Sequence, residues 1–195
     1  MIKEILDKDI CVYKNVVNDS HNILNDLYSI FSNSNVSWVE ATINNHEYNK
    51  DLRSCKVFSL HVDPREYSNK EYVNLKLMLN AKINKILSPY ILDYLSNIDI
   101  KVKTKESWEF LQYSETEKLA WHSDHGDPHP CLISFVLYFN DDYEGGEIQF
   151  KNHIGSSPYK PEAGSLIIFP SDPEYLHRVL PIISGTKIAA ISFAK

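Results

Sequence analysis

The 195-residue chain is 43% hydrophobic and 24% charged, the balance of a soluble globular protein with interior enough for one domain and a buried site. Its formal charge of −6 speaks against a dedicated nucleic-acid surface, which is normally basic. Cys11, Cys55 and Cys131 are far apart and lack Cys-x-x-Cys spacing, which excludes a zinc ribbon and a disulfide framework. Residues 1–7 carry no signal-like apolar run, and no stretch approaches the ~18 apolar residues of a membrane span. The expectation is a cytoplasmic protein without membrane contact, its thiols reduced.

Residues 9–17 alternate and are β-branched, which predicts a first strand. Asn18, Asp19 and Ser20 are cap candidates for a helix over 19–32, where Ile23, Leu24, Leu27, Ile30 and Phe31 recur at helical spacing. Residues 36–54 read as a polar loop, and 55–62 as a strand. From 66 to 96 a stripe of Tyr72, Leu75, Leu79, Ile83, Ile86 and Leu87 predicts a helix. Ser88-Pro89 should interrupt it, with Ser88 capping a second short helix. After Asn97 short strands are predicted at 99–104, 106–114, 118–123, 131–139, 146–150, 165–169, 175–180 and 186–193. Turn-rich separators such as HGDPHP and NDDYEGG part them. This predicts an α+β, mainly β fold: a double-stranded β-helix, or jelly roll, with N-terminal helices packed against the sheet.

His122 and Asp124 are two apart in Trp121-His122-Ser123-Asp124, so on a strand they share a face. Alone, such a pair fits several divalent metals. With His177 as a third ligand from a distant strand, it becomes two imidazoles and a carboxylate with open positions, the arrangement that suits non-haem Fe(II). A keto-acid co-substrate on that metal needs a cation for its far carboxylate. Lys187, ten residues beyond His177 and past the Ser184-Gly185 turn, can enter the same cavity. Tyr113 and Tyr138 can add phenolic hydrogen bonds. His125 and His129, in the HGDPHP loop, read as exposed lid residues. Arg178 follows a ligand on its strand and should point away from it, where an ion pair is slightly favoured over substrate contact.

Four segments, LQYSETEKLAWHSD, ISFVLYFNDDYEGGEIQF, PEAGSLIIFP and YLHRVLPIISGTKIAAISF, jointly resemble the iron- and 2-oxoglutarate-dependent dioxygenases of the prolyl 4-hydroxylase branch, over roughly residues 106–193. The resemblance implies iron ligation by His122, Asp124 and His177, and binding of the distal carboxylate of 2-oxoglutarate by Lys187. It gives Tyr113 and Tyr138 the co-substrate pocket and makes the Gly145-Gly146-Glu147 turn structural. It further implies hydroxylation of a C–H bond with O₂, L-ascorbate as reductant and a peptide or protein substrate. A small molecule or free amino acid handled by the same machinery, and a non-catalytic jelly-roll metal binder, are the alternatives. Two positions depart from the family pattern. Ser114-Glu115-Thr116-Glu117 lacks the usual glycine after the first tyrosine, and Phe193 replaces a tryptophan. One domain over 1–195 is expected, with 1–105 as support and 106–193 as the jelly-roll core.

Overall fold

The computed structural model describes residues 1–43, 48–126, 130–151 and 157–195. Among these residues the chain is mainly β with two α-helices. It opens with β1 (Ile2–Asp7), β2 (Ile10–Lys14), α1 (Ile23–Ser34), β3 (Val39–Glu40), β4 (Lys56–Ser59) and α2 (Lys70–Leu95). There follow β5 (Glu109–Tyr113), β6 (Leu119–His122), β7 (Ile133–Tyr138), β8 (Glu144–Gly145) and β9 (Ile148–Phe150). The chain then continues through β10 (Leu166–Pro170), β11 (His177–Val179), β12 (Ile182–Ser184) and β13 (Lys187–Ala194). Eight strands form one sheet in the order β1-β2-β10-β7-β13-β5-β4-β3, faced by β6-β11-β9 and the pair β12-β8. Strands distant in sequence are neighbours and the two layers enclose a space, which is the jelly-roll arrangement.

The period-2 alternation of the strands sorts side chains into two compartments. On β13, Lys187, Ala189, Ile191 and Phe193 line the space between the sheets, together with Glu109, Leu111 and Tyr113 of β5. Their neighbours Ala190, Phe110, Phe135 and Leu137 belong instead to the largest apolar cluster, with Leu27 and Ile30 of α1 and Ile83 and Leu87 of α2. Fully burying one such Phe or Leu is worth roughly 1.5–3 kcal/mol, so the helix-side face stabilises the sheet whose other face carries the site.

Several boundaries differ from the sequence expectation. No interruption occurs at Pro89: α2 runs through it. The apolar stripe continues in phase across the proline to Tyr90, Ile91 and Tyr94. Pro89 itself lies on the exposed face with Lys85 one turn earlier, so water can satisfy the carbonyl that loses its donor. Residues 99–104 form no strand; only Lys105 makes a single bridge, to Ala194. β1 was not anticipated, because its outward residues Ile2 and Ile5 are exposed and give no inside-outside alternation. α1 starts at Ile23, after a 3-10 turn at Asp19–His21 and a left-handed Asn22 (φ 52°) that makes no side-chain cap bond. The three cysteines are free and buried. No helix among the described residues is long and apolar enough to cross a membrane.

Candidate functional site

β6 and β11 are antiparallel partners, and His122 and His177 face each other across them. The register slips between His177 and Val179, so β6 carries a bulge. That extra residue allows both Leu119 and His122 to face the cavity, although they are an odd number of residues apart. Asp124 lies in a bend two residues past the end of β6, so its approach to His122 comes from the bend rather than from strand alternation. The three residues offer ligand atoms that all lie within 4.8 Å of one another. His122 Nε2 is 3.4 Å from Asp124 Oδ1, and His177 Nε2 is 3.6 Å from Asp124 Oδ2.

The non-ligating atoms of this cluster are spoken for. Nδ1 of His122 bonds the Ala120 carbonyl at 2.9 Å, and Nδ1 of His177 bonds the Tyr175 carbonyl at 3.0 Å. A carbonyl only accepts, so each Nδ1 carries a proton and each Nε2 is the nitrogen turned to the cluster. Ser134 Oγ donates to Asp124 Oδ2 at 2.6 Å and contacts Ser171 Oγ at 2.7 Å. Phe169 stands edge-on to the His177 ring with centroids 4.9 Å apart, and Phe150 lies on the strand beside it. Burial lowers His177 to about 4. Burial alone would raise Asp124, but His177, His122 and the Ser134 hydroxyl outweigh it and hold the carboxyl at about 2. Neutral imidazole beside ionised carboxylate is the state a divalent cation needs.

The same cavity, of about 570 Å³, is lined by Lys187, Tyr113 and Tyr138. Lys187 pairs in register with Tyr113, and Tyr138 flanks β13 from the other side, opposite Ala189. The ammonium donates to the Gly146 carbonyl at 2.6 Å. It lies 5.1 Å from the Tyr138 ring centre, 5.5 Å from that of Tyr113 and 5.9 Å from that of Tyr143. Gly146 can offer this carbonyl because φ is +66°, and a Cβ there would strike the Ile182 side chain. Burial pushes Lys187 down to about 7, opposed by Glu147, and lifts both tyrosine phenols well above their usual value. The Tyr143 hydroxyl is buried without a hydrogen-bond partner, and the buried Tyr113 hydroxyl has only the Cys55 side chain beside it. A buried cation beside an unpartnered donor fits an anion, and the donor set at the metal cluster fits Fe(II).

His125 is exposed and stands outside the cluster; His129 lies outside the described residues. Arg178 makes no ion pair among the described residues. Its Nε donates to Gln149 Oε1 at 2.8 Å, and its guanidinium stacks on Trp121 at 4.6 Å. Sequence reasoning passed over Ser134, Tyr143 and Arg53, which also lines the cavity. Tyr143 sits just before the Gly-Gly pair, a position that could have drawn notice, but Arg53 lies in a polar loop without a motif. Thr116, in the Ser114–Glu117 turn, adopts φ 69°, a conformation uncommon for a β-branched residue.

Residues 108–195 match the 2OG-Fe(II) oxygenase superfamily. The chain resembles that superfamily over this segment, less than half of its length. Its curated relatives include PKHD-type hydroxylases. One from a Synechococcus strain is 40% identical over 65 residues, 32% of this chain and 28% of the relative. Another, from Alteromonas mediterranea, is 33% identical over 94 residues, 43% of this chain and 41% of the relative. The chain thus spans less than half the length of these relatives. Among solved structures, a Trichoplax adhaerens prolyl hydroxylase in complex with a hypoxia inducible factor peptide fragment shares the fold. Its TM-score is 0.72 at 14% identity, covering 95% of this chain and 83% of that one. A Pseudomonas putida prolyl-4-hydroxylase gives 0.62 at 18% identity, covering 96% and 92%.

Proposed function

We propose that this protein is an Fe(II)- and 2-oxoglutarate-dependent dioxygenase that hydroxylates a C–H bond of a peptidyl residue, proline above all, with ascorbate as reductant. One observation carries the reading. A single cavity has two imidazoles and a carboxylate at one end, and a buried lysine beside a buried tyrosine hydroxyl at the other. Peptidyl proline is favoured because a solved protein of like fold is a prolyl hydroxylase with a bound peptide fragment.

In this reading His122, Asp124 and His177 hold the iron and leave its remaining positions open. Lys187 anchors the distal carboxylate of 2-oxoglutarate, with Tyr113 and Tyr138 supplying phenolic hydrogen bonds. Bound iron supplies the chemistry that couples decarboxylation of 2-oxoglutarate by O₂ to hydroxylation. The protein's own residues orient and shield. Ser134 fixes the Asp124 carboxylate, the Ala120 and Tyr175 carbonyls fix the imidazole tautomers, and Phe150 and Phe169 keep water from His177. The two helices back the large sheet, and 1–195 act as one domain in which 106–193 carry the chemistry.

The test is direct. Purified protein with Fe(II), ascorbate and O₂ is expected to release succinate from 2-oxoglutarate in step with hydroxylation of a Pro-rich or collagen-like peptide. If succinate never rises above a protein-free blank, with peptides, free proline or nucleic acid, the reading fails.

A further inference from the structure

Residues 1–105 carry no motif of the superfamily, yet one of their side chains stands in the cavity wall. The stretch around Arg53 is laced onto β6, the strand that ends in His122. Arg53 bridges to Leu119, Ala120 N–H donates to the Leu52 carbonyl at 2.8 Å, and Ser54 N–H donates to the Lys118 carbonyl at 3.0 Å. The backbone at Arg53 is therefore fixed relative to the strand that ends in His122. The guanidinium is also underused. Of its five N–H donors, one reaches Glu109 Oε1 at 3.2 Å and one the Thr42 carbonyl at 3.4 Å, near the limit of a hydrogen bond. Nε is buried with no oxygen or nitrogen acceptor, and the Cys55 side chain is the guanidinium's remaining polar neighbour. Arg53 and Glu109 line the same cavity as the metal cluster and Lys187.

Charge balance decides what the spare donors can take. Glu109 offsets Arg53 and Asp124 offsets Lys187, while a divalent metal offsets a dianionic keto acid. With co-substrate bound, the cavity is already neutral, so a further buried carboxylate would stand uncompensated. A neutral acceptor would not. We propose, building on the dioxygenase reading above, that Arg53 is a substrate-recognition residue. Its free guanidinium N–H groups donate to a carbonyl oxygen of an uncharged, amide-flanked residue, and Glu109 sets the preference for amide over free carboxylate.

The experiment compares N-acetylprolinamide with N-acetylproline, ligands that differ only in amide against carboxylate. Binding to the full chain loaded with Mn(II) and 2-oxoglutarate is read by calorimetry without O₂. Wild type is expected to bind the amide at least tenfold more tightly. Arg53→Ala should weaken the amide about tenfold and flatten the selectivity. Glu109→Gln, a near-isosteric change that leaves Arg53 unbalanced, should shift the selectivity at least fivefold toward the carboxylate. It decides the matter even if Arg53→Ala fails to fold. Three outcomes overturn the proposal: preference of wild type for the carboxylate or for free proline, equal weakening of both ligands in the folded variants, or no binding of either ligand to wild type. Because no turnover is measured, an enzyme that binds as expected yet releases no succinate would count against the dioxygenase reading alone.

Discussion

The two ends of the cavity are built on opposite plans. At the end with His122, Asp124 and His177 the side chains are held by hydrogen bonds: both Nδ1 groups on carbonyls, and Asp124 Oδ2 on Ser134. At the lysine end the ammonium has one hydrogen bond, to Gly146, the Tyr143 hydroxyl has none, and that of Tyr113 has only the Cys55 side chain beside it. The first end is set in place before its ligand arrives. The second stores an unfavourable burial that an arriving anion relieves. Metal affinity should therefore depend on positioning, and co-substrate affinity on desolvated charge.

The largest effect is expected at the metal end. His177→Ala should lose stoichiometric iron, as measured by metal analysis; retained iron would mean that the third ligand is another residue. Next comes Lys187→Met. Removing one partner of a buried charge pair costs about 3–5 kcal/mol, so the 2-oxoglutarate Kd should rise at least a hundredfold while iron stays bound. The same change should stabilise the co-substrate-free protein, and pH reveals why. The folded pKa of Lys187 is about 7 against the usual 10.5. Between those values the unfolded chain holds a proton that the folded chain does not, so stability falls as pH drops from 10.5 to 7 and levels off below. The melting-temperature advantage of Lys187→Met should widen over that window; parallel curves would show that burial of the amine carries no such penalty.

Smaller effects sharpen the contrast. Ser134→Ala frees Asp124 from its donor and should weaken iron binding about 10–100-fold, with the 2-oxoglutarate requirement little changed at saturating iron. Equal loss in both would mean that the two ends are not independent. Tyr113→Phe deletes a buried hydroxyl whose neighbour is only the Cys55 side chain, a weak partner, and should stabilise the co-substrate-free protein by up to roughly 1 kcal/mol. It should also loosen 2-oxoglutarate less than tenfold, and a lower melting temperature would reveal a stronger partner for that hydroxyl.

His122, Asp124 and His177 were legible as a cluster because two histidines and a carboxylate are an uncommon combination, although it is the bend after β6 and not strand alternation that brings Asp124 in. The Lys187 turn was legible because Gly185 marks it. What was hidden depends on packing. Nothing local in Ser88-Pro89 announces that the apolar stripe stays in phase across the proline and that packing wins over the missing hydrogen bond. The bulge in β6 leaves no signature in Leu119–His122 but decides which residues face inward. Arg53 is a lone cation in a polar loop, and only its lacing onto β6 brings it to the cavity.

β13 carries a last consequence, for folding. It lies between β7 and β5 in the large sheet, holding together β1-β2-β10-β7 on one side and β5-β4-β3 on the other. Until residues 187–194 arrive, these are two half-sheets, each with an open edge of unpaired N–H and C=O groups. The strand that begins with Lys187 thus closes the sheet as well as the lysine end of the cavity. Folding governed by such late, non-local pairing is slow and leaves its intermediates prone to edge-to-edge aggregation.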